Sequence, residues 1–188
     1  MTALEKGLEY ELQFVARAGA DHLALHPFGR YPAVELDGQA MFETLAITAH
    51  LDENFDGPAL QAEDPTARTR MRTWMGVCSD YVFRDVVQMI PRGRATSEEE
   101  FATARGVLEN LEALMDPGPF LAGDALTLAD LYLAPQISGA AEKAPTVLDG
   151  LDKLGAWMAP MRERPSFQAT AYDPAVLVLP TASPVAPR

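Results

Sequence analysis

The sequence predicts an α/β unit followed by an all-α unit. The first prediction rests on residues 27–55, PFGRYPAVELDGQAMFETLAITAHLDENF, where two short strands lead into a helix. Asp37-Gly38 joins the strands, because both residues tolerate the positive φ of a two-residue hairpin turn. The second prediction rests on residues 66–170, where three segments carry apolar residues mostly three and four apart, as on one face of a helix. Residues 57–65 between the two units have the composition of a linker.

Length, charge and cysteine content exclude several classes of protein. The chain has 188 residues, enough for one or two small domains with a sizeable core. No apolar run approaches ~18 residues, and the charged first residues predict no signal peptide. A formal net charge of −12 disfavours nucleic acid and anionic membranes as partners, because both require clustered basic residues. The single cysteine, Cys78, predicts no internal disulfide, no cysteine-rich metal site and a reducing, cytoplasmic setting.

The first residues predict the end of a helix and then a strand. Gly7 is typical of a helix C-terminus, and Leu8 to Phe14 alternate between apolar and polar, as in a half-buried strand. Residues 16–26 predict a loop with at most one helical turn. His22 and His26 lie there, but so short a segment favours surface or hydrogen-bonded histidines over metal ligands.

Glu43 and Thr44 form the first candidate site, where the predicted strand Gln39 to Phe42 meets the following helix. The first N–H groups of a helix and the positive end of its dipole favour a carboxylate. Glu43 can take an ammonium group beside them. Together they suit a zwitterion, such as the α-amino acid end of a γ-glutamyl peptide, although such a pair is also typical of an ordinary helix start.

Pro-Phe-Gly-x-x-Pro, the hairpin, and Phe-Glu-Thr-x-Ala-Ile together resemble the glutathione-binding half of a cytosolic glutathione S-transferase. The resemblance implies a thioredoxin-like first domain, residues 1–56, with glutathione as co-substrate and a cis peptide bond before Pro32. It assigns the γ-glutamyl group to Glu43 and Thr44, the cysteinyl part to the backbone of Tyr31, and a loop contact to Arg30. Tyr31 departs from the small aliphatic residue that this family has before the proline.

The same resemblance implies that this first domain is incomplete. In the family, a strand and a helix precede the Leu8–Phe14 strand, and the residue that activates the glutathione thiol lies near their junction. We therefore expect the catalytic residue to lie upstream of Met1 and this chain to conjugate glutathione weakly or not at all. Three arrangements remain open for the unpaired strands: direct pairing of Leu8–Phe14 with Ala33–Leu36, a partner chain in the gap, or fraying.

The helix predicted from Arg68 to Met89 opens the all-helical domain. Most of its apolar stripe is expected in the core or in a dimer interface. The resemblance places the front of this helix over the glutathione site, which makes three residues candidates for a second-substrate pocket: Trp74, Cys78 and Tyr81. It also implies a homodimer, for which the helix offers apolar residues beyond one core face: Met71, Trp74, Met75 and Val82.

Two later signals are structural. Ser97 with the following acids predicts a capped helix start, and Thr127 with Asp130 forms a capping-box pattern. The run Gly-Asp-x-x-Thr-x-Ala-Asp around that box resembles the folding module at the start of the family's central helix, so we assign Asp130 no catalytic role. Residues 171–188 predict a proline-rich tail on the surface or disordered.

The resemblance implies conjugation of the glutathione thiol to an electrophilic small molecule, a detoxification reaction, in a cytoplasmic homodimer. The electrophile cannot be read from the residues. A non-catalytic glutathione-transferase-like module for binding or assembly stays open as the alternative.

Overall fold

The computed structural model describes residues 1–13, 15, 19–36, 38–90 and 94–170. It confirms a small α/β unit followed by a helical one. The elements are α1 (Thr2–Glu5), α2 (Ala20–Leu25), β1 (Ala33–Leu36), β2 (Gln39–Phe42), α3 (Thr44–Asn54), α4 (Pro65–Val77) with a π-helical continuation (Cys78–Val87), α5 (Glu98–Leu114), α6 (Leu128–Lys143), a 3₁₀ turn (Pro145–Leu148), α7 (Asp152–Glu163) and α8 (Pro165–Thr170). None of these helices is long and apolar enough to cross a membrane.

The predicted hairpin is present. β1 and β2 pair antiparallel, with Leu36 opposite Gln39 at the turn and Ala33 opposite Phe42 at the other end. Gly38 adopts a φ of 75°, which a residue without Cβ does at little cost. Asp37, the other turn residue, lies outside the described residues. Because α3 begins two residues after β2, the hairpin delivers the chain directly to the start of that helix.

The prediction of a strand from Leu8 to Phe14 is wrong over its described part. Residues 8–13 form no strand, the sheet within the described ranges has two strands only, and Phe14 lies outside them. A segment becomes a strand only when a neighbour pairs with its backbone groups, and here β1 pairs with β2 alone. The side chains of Tyr10 and Leu12 accordingly stay exposed. Direct pairing of residues 8–13 with β1 is therefore not the arrangement adopted.

Two helices differ from their predicted extents. α2 has six residues, more than the single turn predicted, although residues 16–18 before it lie outside the described ranges. α4 begins at Pro65 and not at Arg68, because the Asp64 side chain accepts the Ala67 N–H at 2.7 Å and proline suits the first position of a helix. Beyond Val77 the helix turns π-helical and ends at Val87, where a single α-helix reaching Met89 was predicted.

The core of the helical domain lies around α6, eight of whose residues are buried. α4, its π-helical continuation, α5 and α7 direct their apolar stripes toward this core. The four residues predicted to supply apolar surface for a dimer are at most 7% exposed: Met71, Trp74, Met75 and Val82. That part of the prediction is wrong, because these four side chains are already covered within one chain.

Lys6 ties the first domain to the linker. Its Nζ donates to Asp52 Oδ1 and to the carbonyl oxygen of Pro58, both at 3.1 Å, and both charged side chains are almost fully buried. The Asp52 carboxylate also accepts the N–H groups of Leu60 and Gln61, at 2.9 and 3.0 Å. These bonds satisfy both buried charges, which would otherwise be costly.

Glu5, next to Lys6, ties the first domain to the end of the second. Its carboxylate accepts Nε and Nη2 of Arg164 at 2.9 and 2.7 Å, and it also accepts the hydroxyl of Ser166. Such a paired, parallel contact fixes orientation as well as distance. The last turn of α1 is thus bonded to α3, to the linker and to the junction of α7 with α8.

Candidate functional site

Glu43 stands at the start of α3 in an uncommon backbone conformation. Its φ of 72° and ψ of 118° make it the one non-glycine residue with positive φ among those described. Its carbonyl oxygen accepts the Ile47 N–H at 3.0 Å, but its exposed side chain makes no capping hydrogen bond. The carboxylate is thereby kept off the helix end, so the first N–H groups of α3, beginning at Thr44, remain available to an anion.

The loop before β1 reaches the same end of the hairpin. The Tyr31–Pro32 peptide bond is cis, as the resemblance implies. Because Ala33 lies opposite Phe42, the next residues outward on the two strands are Pro32 and Glu43. The register thus brings the loop residues 30–32 and the helix start together, although they are more than ten positions apart in sequence.

Tyr31 carries the departure from the family pattern, and its side chain has a local explanation. The ring lies 4.5 Å from that of His22, with 12° between the planes, and the hydroxyl donates to the Val15 carbonyl oxygen at 2.9 Å. The side chain is therefore held by α2 and by Val15, although about half of it stays exposed. Arg30 is exposed beside it.

Both histidines of this region are buried and hydrogen-bonded, and neither is a surface residue. His22 Nε2 lies 2.9 Å from the carbonyl oxygen of Arg30, so Nε2 carries the hydrogen. His26 Nδ1 accepts the Phe28 N–H at 3.3 Å, and its ring packs 4.7 Å from that of Phe42. Across the described ranges, no group of three or more His, Cys, Asp or Glu residues is arranged to hold a metal ion.

The three residues predicted for a second-substrate pocket separate in the structure. Trp74 and Cys78 are 6% and 0% exposed, whereas Tyr81 is half-exposed, with the Arg84 guanidinium 5.7 Å from its ring centre. Burial raises the pKa of the Cys78 thiol, and the nearby Asp130 carboxylate raises it further. Cys78 is therefore a neutral thiol in the core, and only Tyr81 of the three offers a substantial surface to a ligand.

Tyr132 on α6 was missed in the sequence. Its half-buried hydroxyl is hydrogen-bonded to Ser79. Burial is the largest cause of a raised pKa for Tyr132, and the nearby carboxylates of Glu43 and Asp80 raise that pKa further. Tyr132 is thus a phenol of the helical domain that lies within electrostatic reach of Glu43. A tyrosine in an otherwise apolar helix was the available signal, but sequence spacing gave no indication that the two domains meet there.

The capping box at α6 is confirmed and belongs to the core. Asp130 Oδ2 accepts the N–H and the hydroxyl of Thr127, each at 2.9 Å, while Oδ1 accepts Leu121 N–H at 2.8 Å and Trp157 Nε1–H at 3.0 Å. Burial raises the pKa of Asp130 above its ordinary value, although the four hydrogen bonds act in the opposite direction. The carboxylate joins a loop and two helices.

Comparison with known families and proteins identifies relatives of both units. The family model described as "Glutathione S-transferase, N-terminal domain" matches residues 1–54, and the one described as "Glutathione S-transferase, C-terminal domain" matches residues 75–165. A glutathione S-transferase of Hyoscyamus muticus is 30% identical, over 88% of this chain and 87% of its own length. A maleylacetoacetate isomerase of Pseudomonas aeruginosa is 32% identical, over 79% of this chain and 77% of its own.

The solved structures agree on the fold. Glutathione transferase F7 of Populus trichocarpa superposes with a TM-score of 0.78 at 26% identity, over 89% of this chain and 88% of that one. The two family matches follow the order of the two units seen here, and the relatives align over most of their length. The chain belongs to the cytosolic glutathione S-transferase family.

Proposed function

We propose that this chain binds glutathione between the loop 30–32 and the start of α3 and takes part in conjugating its thiol to an electrophilic small molecule. The observation that carries the proposal is the exposed Glu43 carboxylate at a positive φ beside an uncapped helix start. Glu43 binds the ammonium group of the γ-glutamyl residue, and Thr44 with the first N–H groups of α3 binds its carboxylate. The Tyr31 backbone takes the cysteinyl part, and Arg30 reaches the peptide from the loop.

In the conjugation, the glutathione thiol loses its proton to solvent, and its sulfur forms a bond to an electrophilic carbon while a leaving group departs with its electron pair. The protein contributes by binding both reactants in one orientation. Tyr81 and Tyr132 are the described side chains we assign to the surface that meets the electrophile. We assign no thiol activator: Cys78 is buried and neutral, and the raised pKa of Tyr132 disfavours its phenolate.

Calorimetry with glutathione tests the binding site. Glu43→Ala should weaken binding by about 1.5–3 kcal/mol, the scale for a hydrogen bond to a charged group. Glu35→Ala is the matched control: it removes an exposed carboxylate on β1, away from the start of α3, and should leave the affinity for glutathione unchanged. Equal affinity in wild type and Glu43→Ala would refute the assignment.

The second candidate function is a glutathione-binding module without turnover. The segment 8–13 favours it, because this segment forms no strand and the sheet of the described residues has two strands only. Turnover of an activated aryl halide separates the candidates: a chain that binds glutathione but gives no conjugate above the uncatalysed rate is the module.

We also propose a cytoplasmic homodimer whose interface is the groove between α4 and α5. The groove has a volume of roughly 610 Å³, and its lining combines polar and apolar side chains: Thr66, Thr69, Arg70, Thr73, Trp74 and Leu114. Leu114 is 60% exposed, an apolar residue that a partner would cover.

Leu114→Glu should halve the mass measured by light scattering at micromolar concentration, because a buried unpaired charge opposes association. Leu12→Glu, which changes an equally exposed leucine on the segment 8–13, is the control and should stay dimeric. A monomeric wild type would contradict the dimer, and a dimeric Leu114→Glu would place the interface elsewhere.

A further inference from the structure

We propose that His22 is a positioning residue for glutathione binding, which holds the peptide group between Arg30 and Tyr31 in the orientation the ligand requires. The inference rests on the proposed function and adds a residue outside the assigned binding set. His22 lies on α2 and is 1% exposed, so it acts on the ligand through the loop.

The hydrogen bond of His22 determines where the Tyr31 N–H points. Nε2 donates to the carbonyl oxygen of Arg30, at 2.9 Å, and that carbonyl shares one peptide plane with the Tyr31 N–H. In a trans peptide the C=O and N–H groups point in opposite directions. Holding the carbonyl toward α2 therefore turns the Tyr31 N–H away from α2, where a ligand can take it.

The His22 ring also holds the side chain of the same residue. It stacks on the Tyr31 ring at 4.5 Å, with 12° between the planes. The hydrogen bond to Arg30 and the stacking on Tyr31 thus act on the two consecutive loop residues that precede the cis bond to Pro32. This explains how a large tyrosine is accommodated here: its ring lies on His22 and outside the space that the backbone offers to the ligand.

His26 holds the other half of the loop. Its carbonyl oxygen accepts the Gly29 N–H at 2.8 Å, its Nδ1 accepts the Phe28 N–H, and its ring packs on Phe42, the residue before Glu43. The loop is thus bonded to α2 at one end and packed against the end of β2 at the other. Only the first connection, through His22, fixes the peptide group that we assign to the cysteinyl part of glutathione.

Three variants separate the hydrogen bond from the ring. His22→Phe keeps a flat ring for stacking but has no donor, whereas the amide of His22→Gln can donate from nearly the position of Nε2. His22→Phe should weaken glutathione binding about threefold to tenfold, the ratio expected for one lost hydrogen bond, and His22→Gln should restore most of it. His50→Phe, on α3, is the matched control and should bind as wild type does.

Calorimetry on the full chain decides the matter, with the thermal midpoint of each variant measured in parallel. If His22→Phe does not fold, His22→Asn takes its place, because its amide is too short to reach Arg30. A purely structural role would lower the thermal midpoint while leaving the affinity per folded molecule unchanged, and that result would overturn the inference. No binding by wild type would instead refute the proposed function, and the inference with it.

Discussion

A single carboxylate, that of Asp130, organises the junction of three segments of the helical domain. Its two oxygens accept four hydrogen bonds, from Leu121, from Thr127 twice and from Trp157, and the residue has no exposed surface. A buried carboxylate is tolerable because the hydrogen bonds that its oxygens accept offset the loss of water around it. The same donors make the site intolerant of a side chain that cannot accept on both oxygens.

Asp130→Asn should lower the free energy of unfolding by about 3 kcal/mol or more, since its amide NH₂ would face buried donors and leave at least one unpaired. Thr127→Ala, which removes one of the four donors and the cap, should cost about 1 kcal/mol. Urea unfolding measures both, and Asp124→Asn in the exposed part of the same loop serves as control. A loss below that of Thr127→Ala would contradict the central role of Asp130.

At the scale of elements, the helices that formed as predicted are specified by capping residues close to their ends in sequence. α5 is an example: Ser97 Oγ accepts the Glu100 N–H at 3.2 Å, and the Glu100 carboxylate accepts the Ser97 N–H at 2.8 Å. Arg94 pairs with the same carboxylate, which lowers the pKa of Glu100 to about 2. The helix start is thereby held by residues at most six positions apart in sequence.

Ser97→Ala should therefore cost about 1 kcal/mol of unfolding free energy, the usual loss for a removed N-cap. Thr103→Ala, exposed in the middle of α5, provides the comparison: it should leave stability unchanged or slightly higher, because alanine is the better helix former. Chemical denaturation at neutral pH distinguishes them. Equal stabilities of the two variants would mean that the cap does not contribute.

The features that the sequence did not predict depend on contacts between residues far apart in the chain. The segment 8–13 has the alternation of a strand, but a strand depends on a partner that alternation does not identify. The apolar stripe that includes Met71 and Val82 predicted a buried helix face, but it did not show whether the same chain or a dimer partner buries it. The assigned binding residues were chosen from local motifs, and Pro32 and Glu43 do share one end of the hairpin. The role we propose for His22 and the nearness of Tyr132 to Glu43 were not predicted, because they depend on the path of the loop and on a contact between the domains.

At the scale of the whole molecule, the two domains are joined by α1 through charges of opposite sign. Lys6 is bonded to α3 and the linker, and Glu5 to Arg164 and Ser166 at the far end of the chain. Gly57 permits the close approach of the linker: at its φ of 124°, an added Cβ would lie 2.6 Å from the Lys6 carbonyl oxygen. These polar contacts thus help to fix the relative placement of the domains.

The Glu5 contact predicts a dependence of stability on pH. The hydrogen bond from Arg164 lowers the pKa of Glu5 below its ordinary value, and Ser166 adds to the effect. A lowered pKa in the folded state contributes stability that is present above the ordinary carboxyl pKa and is lost as pH falls through the folded value. Wild type should therefore exceed Glu5→Gln in stability at about pH 6, and the difference should shrink toward about pH 3.

Urea unfolding at several pH values checks this, with Glu9→Gln, an exposed acid on the adjoining segment, as control. The Glu9 variant should track wild type throughout. A Glu5→Gln difference that stays constant with pH, or widens as the pH falls, would show that the ionised pair does not stabilise the junction.

Leu60 belongs to the linker by sequence, but it packs as part of the second domain. It lies in the stretch predicted as linker, yet it is 2% exposed, and its carbonyl oxygen accepts the Leu128 N–H at 2.9 Å at the first residue of α6. A fragment that starts at Pro65 would open a leucine-sized hole beside the central helix, a loss of about 2–5 kcal/mol. A dissection of this protein, or a chimera with a relative, keeps the second domain whole only if the cut falls ahead of Leu60.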